Sequence, residues 1–215
     1  MSDAGDVLLS AGPRARAEIE SAVGEVLAQG WRPLALGGDH SITYPVIRAI
    51  SRSYPGLTIL HLDAHPDLYE EFEGDRFSHA CPFARIMEEG LAQRLVQVGI
   101  RTLNPQQRRQ AQRYGVELIE MRSWEGGARP KVEGPVYLSV DLDVLDPAFA
   151  PGTGTPEIGG LFTWQAQAIL RRLAGLDFRG MDVVEVSPPY DVAEITALAA
   201  ATFAWEYLAL LAPRN

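Results

Sequence analysis

Apolar runs of strand length alternate along this chain with segments of helical period, and most of the connections between them are short. Residues 33–36, 57–63, 94–99, 116–119, 136–142 and 180–186 read as strands. Residues 13–29, 40–53, 83–89, 105–114, 163–174 and 193–211 read as helices, with Gly30 stopping the first and Pro45 tolerated in the opening turn of the second. Irregular segments fall at 64–79, 126–134 and 148–160. This alternation predicts a mainly parallel sheet with helices on both faces, a three-layer α/β/α sandwich. At 215 residues and 47% apolar content, with no internal repeat or linker, the chain predicts a single domain over 1–215. In such a sheet, ligands bind beyond the carboxyl ends of the strands.

Four of those ends carry unusual polar residues: Gly37-Gly38-Asp39-His40, Asp63-Ala64-His65-Pro66-Asp67, Asp141-Leu142-Asp143 and Val184-Glu185-Val186. Side chains two apart on an extended backbone point the same way, so Asp63, His65 and Asp67 form one convergent set and Asp141 and Asp143 another. Asp-x-Asp alone is equally a solvated turn or a helix cap, and Gly-Gly-Asp-His alone a tight turn with a satisfied histidine. Together, each following an apolar strand, they would bury several carboxylates without compensation unless cations are present. Four aspartates and a histidine exceed what one zinc ion takes and suit two ions with bridging carboxylates. The four histidines, His40, His61, His65 and His79, all fall within 40 consecutive positions.

Other polar residues read as structural. His61 lies inside its strand and is expected to pack in the core; Asp39 is expected to bond loop amides beside His40. Asp146, before Pro147, reads as a turn former, and Asp182 alternates out of phase with the site. Cys81, the only cysteine, is not expected to act as a nucleophile with His79, and no internal disulfide is possible. The net charge of −9 argues against nucleic acid as the main partner and is compatible with a cationic substrate. No signal peptide is evident and no apolar run spans a bilayer; the stretch ITALAAATFAWEYLALLA is expected to be a buried core helix, in a cytoplasmic protein.

Three segments resemble the ureohydrolase family of arginases and agmatinases: Leu36-Gly37-Gly38-Asp39-His40-Ser41-Ile42-Thr43, Leu60-His61-Leu62-Asp63-Ala64-His65-Pro66-Asp67, and the run from Ser139 to Gly160. They occur in the family's order, and the similarity runs from Gly5 to the last helix. The resemblance implies an arginase-like fold and two manganese (Mn²⁺) ions. One would be held by His40, Asp63, Asp67 and Asp141, the other by His65, Asp63, Asp141 and Asp143, with Asp63 and Asp141 bridging. It further implies that His79 shuttles protons, that Glu185 pairs with a substrate guanidinium, that Thr155 touches substrate, and that Asp67 orients the attacking water. The implied reaction releases urea and an amine from a small guanidino compound, in a homo-oligomer, trimer or hexamer.

Within the family, Tyr69 stands where many arginases carry an asparagine, and Glu70, Glu71 and Glu73 would repel a substrate carboxylate. That favours agmatine, giving putrescine and urea, over arginine; other guanidino acids stay open. Asp-Ala-His-Pro-Asp-Leu-Tyr and Phe77-Ser78-His79-Ala80 resemble the plant-type arginase branch instead. The chain is also short for the family, with Met1 only four residues before the matching Gly5-Asp6-Val7, so the expectation is a smaller sheet or one completed by another segment or subunit. Two rival classes remain: a metal-binding structural or regulatory relative without turnover, and a single-zinc deacetylase of related fold.

Overall fold

In the computed structural model of this chain, residues 1–125 and 129–212 are described. Six strands form one fully parallel sheet: β1 (Leu34–Leu36), β2 (Thr58–Leu62), β3 (Arg94–Ile100), β4 (Glu117–Glu120), β5 (Pro135–Asp141) and β6 (Asp177–Val184). Their order across the sheet is β1-β6-β5-β2-β3-β4. The helices are α1 (Pro13–Ala28), α2 (Thr43–Ser51), α3 (Pro82–Glu88), α4 (Pro105–Tyr114), α5 (Met121–Glu125), α6 (Thr163–Arg172) and α7 (Ile195–Leu211).

Strand periodicity divides the core between the two faces. Leu60, Leu62, Val98, Leu138 and Val140 pack with Ile169 and Leu170 of α6 and Phe203 and Tyr207 of α7. Ile59, Leu95 and Tyr137 point the other way, against Val23 of α1, Ile47 and Ile50 of α2, and Phe83 and Ile86 of α3. The three-layer sandwich expected from the alternation is therefore present, and every residue of β2 is buried.

Several boundaries differ from expectation for identifiable reasons. β6 ends at Val184, because Glu185 takes a left-handed conformation with φ 64°. α7 begins at Ile195, not 193, because Ala193 and Glu194 both have positive φ, and the Asp191 carboxylate accepts the amides of Thr196 and Ala197. α5 was not expected, and part of the loop expected over 126–134 lies outside the described residues. The buried core helix expected at the C-terminus is buried on one side only. Leu198 (66% exposed) and Trp205 (69%) lie on its outer face, which no described residue covers. Among the described residues no helix is long and apolar enough to cross a membrane.

One glycine ties the sheet to what lies above it. Gly99 sits at the β3 bulge with φ 100°, where a Cβ would stand 2.8 Å from the Asp63 carbonyl oxygen and 2.7 Å from Val144 Cγ2. Gly24, in α1, has open space around it. Gly99→Ala is expected to cost about 2 kcal/mol or more in urea unfolding of the metal-free protein. Gly24→Ala is expected to be neutral or to stabilise by up to about 1 kcal/mol.

Candidate metal centre

The polar motifs converge through turns, not through continued extended backbone. After β1, the Asp39 carboxylate accepts the Ser41 amide at 2.9 Å and starts a 3-10 turn, His40–Ile42, that buries His40. After β2 the chain turns at once: the His65 amide donates to Asp63 Oδ1 at 2.5 Å, and Asp67 is left-handed with φ 49°. After β5, the Asp143 amide donates to Asp141 Oδ1 at 2.8 Å and opens a second 3-10 turn, Leu142–Val144. After β6, the Glu185 amide bonds the Gly38 carbonyl at 2.8 Å, and its Oε1 accepts the His40 amide at 2.8 Å. Two non-glycine residues with positive φ at one site mark a backbone held in place by its surroundings.

Two foci result. At the first, His40 Nδ1 lies 3.3 Å from Asp63 Oδ2, 3.1 Å from Asp67 Oδ2 and 3.2 Å from Asp141 Oδ2. That nitrogen is buried and has no hydrogen-bond partner among the described residues. At the second, His65 Nδ1 lies 2.9 Å from Asp143 Oδ2 and 3.4 Å from Asp63 Oδ1. Asp63 thus faces both, one oxygen to each, and the donor chemistry at each focus, an imidazole nitrogen among carboxylate oxygens, fits a divalent cation. This is a binuclear metal-binding site.

His61 also has atoms near Asp63, but both ring nitrogens are engaged. Gln97 Nε2 donates to Nδ1 (3.0 Å) and to the Pro66 carbonyl (2.7 Å), so His61 Nε2 carries the proton and donates to Asp63 Oδ2 at 2.7 Å. The core histidine expected from sequence is therefore buried, and it also orients a candidate ligand. Arg101 does comparable work at the second focus: its guanidinium donates to the carbonyls of Asp143 (2.6 Å) and Glu157 (2.8 Å), among others, clamping two loops together. The supporting roles of Gln97 and Arg101, and of Ser139, whose hydroxyl lies 2.9 Å from His40 Nε2, were not expected from sequence. A lone glutamine inside Leu95-Val96-Gln97-Val98, and a serine two residues before Asp141, were the available signals.

The electrostatics describe a site short of positive charge. Burial, with repulsion from Asp143 and Asp63, pushes Asp141 well above the usual carboxylate range. Burial and Asp63 push Asp143 up to about 7, against the pull of His65. Burial acts to lower both imidazoles, yet the carboxylates around them prevail: His40 is raised well above its ordinary value and His65 to about 12. Asp63 goes the other way, since the imidazoles, His61 foremost, outweigh burial and hold it well below the carboxylate range. Protons hold these groups together where cations are not bound.

The remaining residues surround this centre. Burial raises Glu185, opposed by the His40 amide and by the charges of His40 and His79. His79 packs edge-on to Phe72, with ring centroids 5.7 Å apart, and Phe72 in turn lies 5.4 Å from Tyr69. The Thr155 hydroxyl donates to Asp143 Oδ2 at 3.3 Å. Asp39 and Asp146 bond nearby amides as expected, Asp146 taking those of Ala148 and Gly159. Cys81 is buried and its thiol is pushed up to about 11, which keeps it protonated and unreactive.

The arginase family model matches residues 1–209. The chain is 47% identical over 208 residues to a guanidinopropionase of Pseudomonas aeruginosa, covering 90% of this chain and 65% of that protein. It is 50% identical over 188 residues to a mitochondrial arginase of Arabidopsis thaliana, covering 83% and 54%. The chain thus spans only about half to two-thirds of these relatives. The solved structure of proclavaminate amidino hydrolase from Streptomyces clavuligerus superposes with a TM-score of 0.89 at 37% identity, over 96% of this chain and 73% of that one. With that fold, these strand-end motifs and a match along nearly its whole length, the chain belongs to the arginase family.

Proposed function

We propose that this chain, acting as one domain over 1–215, is a binuclear manganese hydrolase that cleaves a guanidino group to urea and an amine. The observation that carries the reading is the pair of foci sharing Asp63, with the half-buried Glu185 carboxylate beside them. An oxygen-rich set with two imidazoles and no thiolate suits manganese. His40, Asp63, Asp67 and Asp141 would hold one ion, and His65, Asp63, Asp141 and Asp143 the other. Such ions, when bound, lower the pKa of water so that hydroxide is available near neutral pH.

The chain's own groups do the rest. Glu185 receives the planar guanidinium by charge-assisted hydrogen bonds; one of its oxygens is anchored on the His40 amide, which fixes its direction. Asp67 accepts a hydrogen bond from the attacking water and aligns it. Thr155 steadies Asp143 and would meet the substrate beside it. His79, on the rim and partly exposed, delivers a proton to the leaving amine and recovers it from solvent.

For the substrate, the acidic Glu70, Glu71 and Glu73, all exposed on the loop that carries His79, support a cationic tail and hence agmatine, with putrescine as the product. A second reading, a carboxylate-tailed guanidino compound such as arginine or guanidinopropionate, is supported by the names of the two relatives above. Parallel kinetics on agmatine, arginine and guanidinopropionate decide between them. Agmatine is expected to give the highest kcat/KM, and a clear preference for either acid selects the second reading.

The manganese-loaded protein is expected to release urea, to lose that activity on chelation and to regain it on readdition. A folded, metal-loaded chain that releases no urea from any guanidino compound would be a metal-binding relative without turnover. Glu185→Gln is expected to lower kcat/KM by about 10- to 100-fold through the loss of a charged hydrogen-bond partner, with both ions still bound. His79→Asn is expected to lower kcat by about 100-fold.

The pH dependence has a definite sign. In the metal-free fold Asp143 is raised to about 7 and His65 to about 12, so both bind protons more tightly folded than unfolded. Their stabilisation is present at low pH. It falls away for Asp143 as pH rises from about 4 through about 7, and for His65 from about 6.5 through about 12. Cations displace these protons, so the manganese-induced rise in Tm should be larger at pH 8 than at pH 6. A rise independent of pH would contradict the exchange of protons for metal.

A further inference from the structure

A row of polar side chains crosses the middle of the sheet where an apolar layer belongs. Asp182 on β6 lies in register with Ser139 on β5, Ser139 with His61 on β2, and His61 with Gln97 on β3. All four are fully buried. A buried polar row is unfavourable unless each member is partnered, and here the partners lead upward to the candidate ligands.

The hydrogen-bond logic at Asp182 leaves no freedom. Its carboxylate accepts from Thr43 Oγ1 (2.8 Å), Tyr137 Oη (2.8 Å) and Ser139 Oγ (2.7 Å). A carboxylate only accepts, so the single Ser139 hydroxyl proton is committed to Asp182. Towards His40 Nε2, 2.9 Å away, Ser139 can then only accept. His40 Nε2 therefore carries a proton, and in the neutral ring Nδ1 presents its lone pair to Asp63, Asp67 and Asp141.

We propose that Asp182 is a positioning residue of the metal centre: acting through Ser139, it fixes the His40 imidazole in the tautomer and direction that make Nδ1 a ligand. This rests on the metal reading above and goes beyond it, because Asp182 touches no candidate ligand. Gln97 acts on His61 by the same logic at the other end of the row, but there the imidazole supports Asp63 and does not itself face a cation.

The decisive substitution is Asp182→Asn. An amide in that position can donate to Ser139 Oγ, which frees the serine proton for His40 Nε2 and moves the ring proton to Nδ1, against the cation. Manganese titration by calorimetry, with bound ions counted per chain, should show at least a 10-fold loss of affinity for one ion in Asp182→Asn. The other ion should be less affected. Ser139→Ala breaks the same relay while leaving Asp182 two donors, and it should weaken the same ion; it also serves if Asp182→Asn does not fold. Tyr137→Phe and Thr43→Val remove the other two hydrogen bonds to Asp182. They should lower the Tm of the metal-free protein yet keep manganese affinity within about 2- to 3-fold of wild type. Wild-type affinities in Asp182→Asn and Ser139→Ala, or an equal loss in Tyr137→Phe, overturn the positioning role. Wild-type protein that binds no manganese overturns the metal reading itself, and this inference with it.

Discussion

Negative charge gathered at the buried ends of parallel strands is the constraint on which the rest of this structure depends. A parallel sheet covered on both faces offers no solvent to a polar side chain, so each carboxylate above β2 and β5 must be neutralised by something within reach. The chain answers in layers. Imidazoles stand against carboxylates at 2.9–3.4 Å, a polar row beneath them fixes ring orientation, and Arg101 pins the two loops beside the second focus. None of these supplies the charge of two divalent ions, and the upward shifts of Asp141 and Asp143 are the consequence.

The positions of the candidate ligands were legible in sequence because each follows an apolar run directly, and so must sit at a strand end. The manner of their convergence was not. Alternation along an extended backbone grouped Asp63, His65 and Asp67 as one set and Asp141 with Asp143 as another, whereas amide-to-carboxylate turns and the left-handed Asp67 bring Asp67 and Asp141 to His40 and Asp143 to His65. Periodicity carries no information about such conformations. Glu185 shows the same limit: it was read as the end of β6, whereas its positive φ ends the strand and turns the side chain onto the His40 amide. Asp182 was set apart as out of phase with the site, yet its register with Ser139 and His61 puts it on the same face as Asp141 and Asp63, one step below them. Its link to His40 depends on strand register, and register between β5 and β6 is a tertiary fact that no local pattern contains.

α7 was legible in extent and less so in surroundings. Its composition is apolar on all sides, which favours burial, yet only the face bearing Ala199, Phe203 and Tyr207 meets the core. Composition reports what a helix tolerates around it; the arrangement of the other elements decides what it receives.

The strand order carries a consequence for how the protein is made. The candidate ligands come from residues 40, 63 to 67 and 141 to 143, after strands β1, β2 and β5, with β6 inserted between β1 and β5. No contiguous segment holds more than three of them. During synthesis, neither focus exists until β5 has emerged and docked beside β2, and His40 takes its place only when β6, threaded last, joins β1 to the rest. Such long-range pairings are slow to form. Cations that need both foci would therefore bind the finished chain and not its precursors, and by mass action they would withdraw finished molecules from the unfolding equilibrium. Metal supply would then set how many copies of the chain persist.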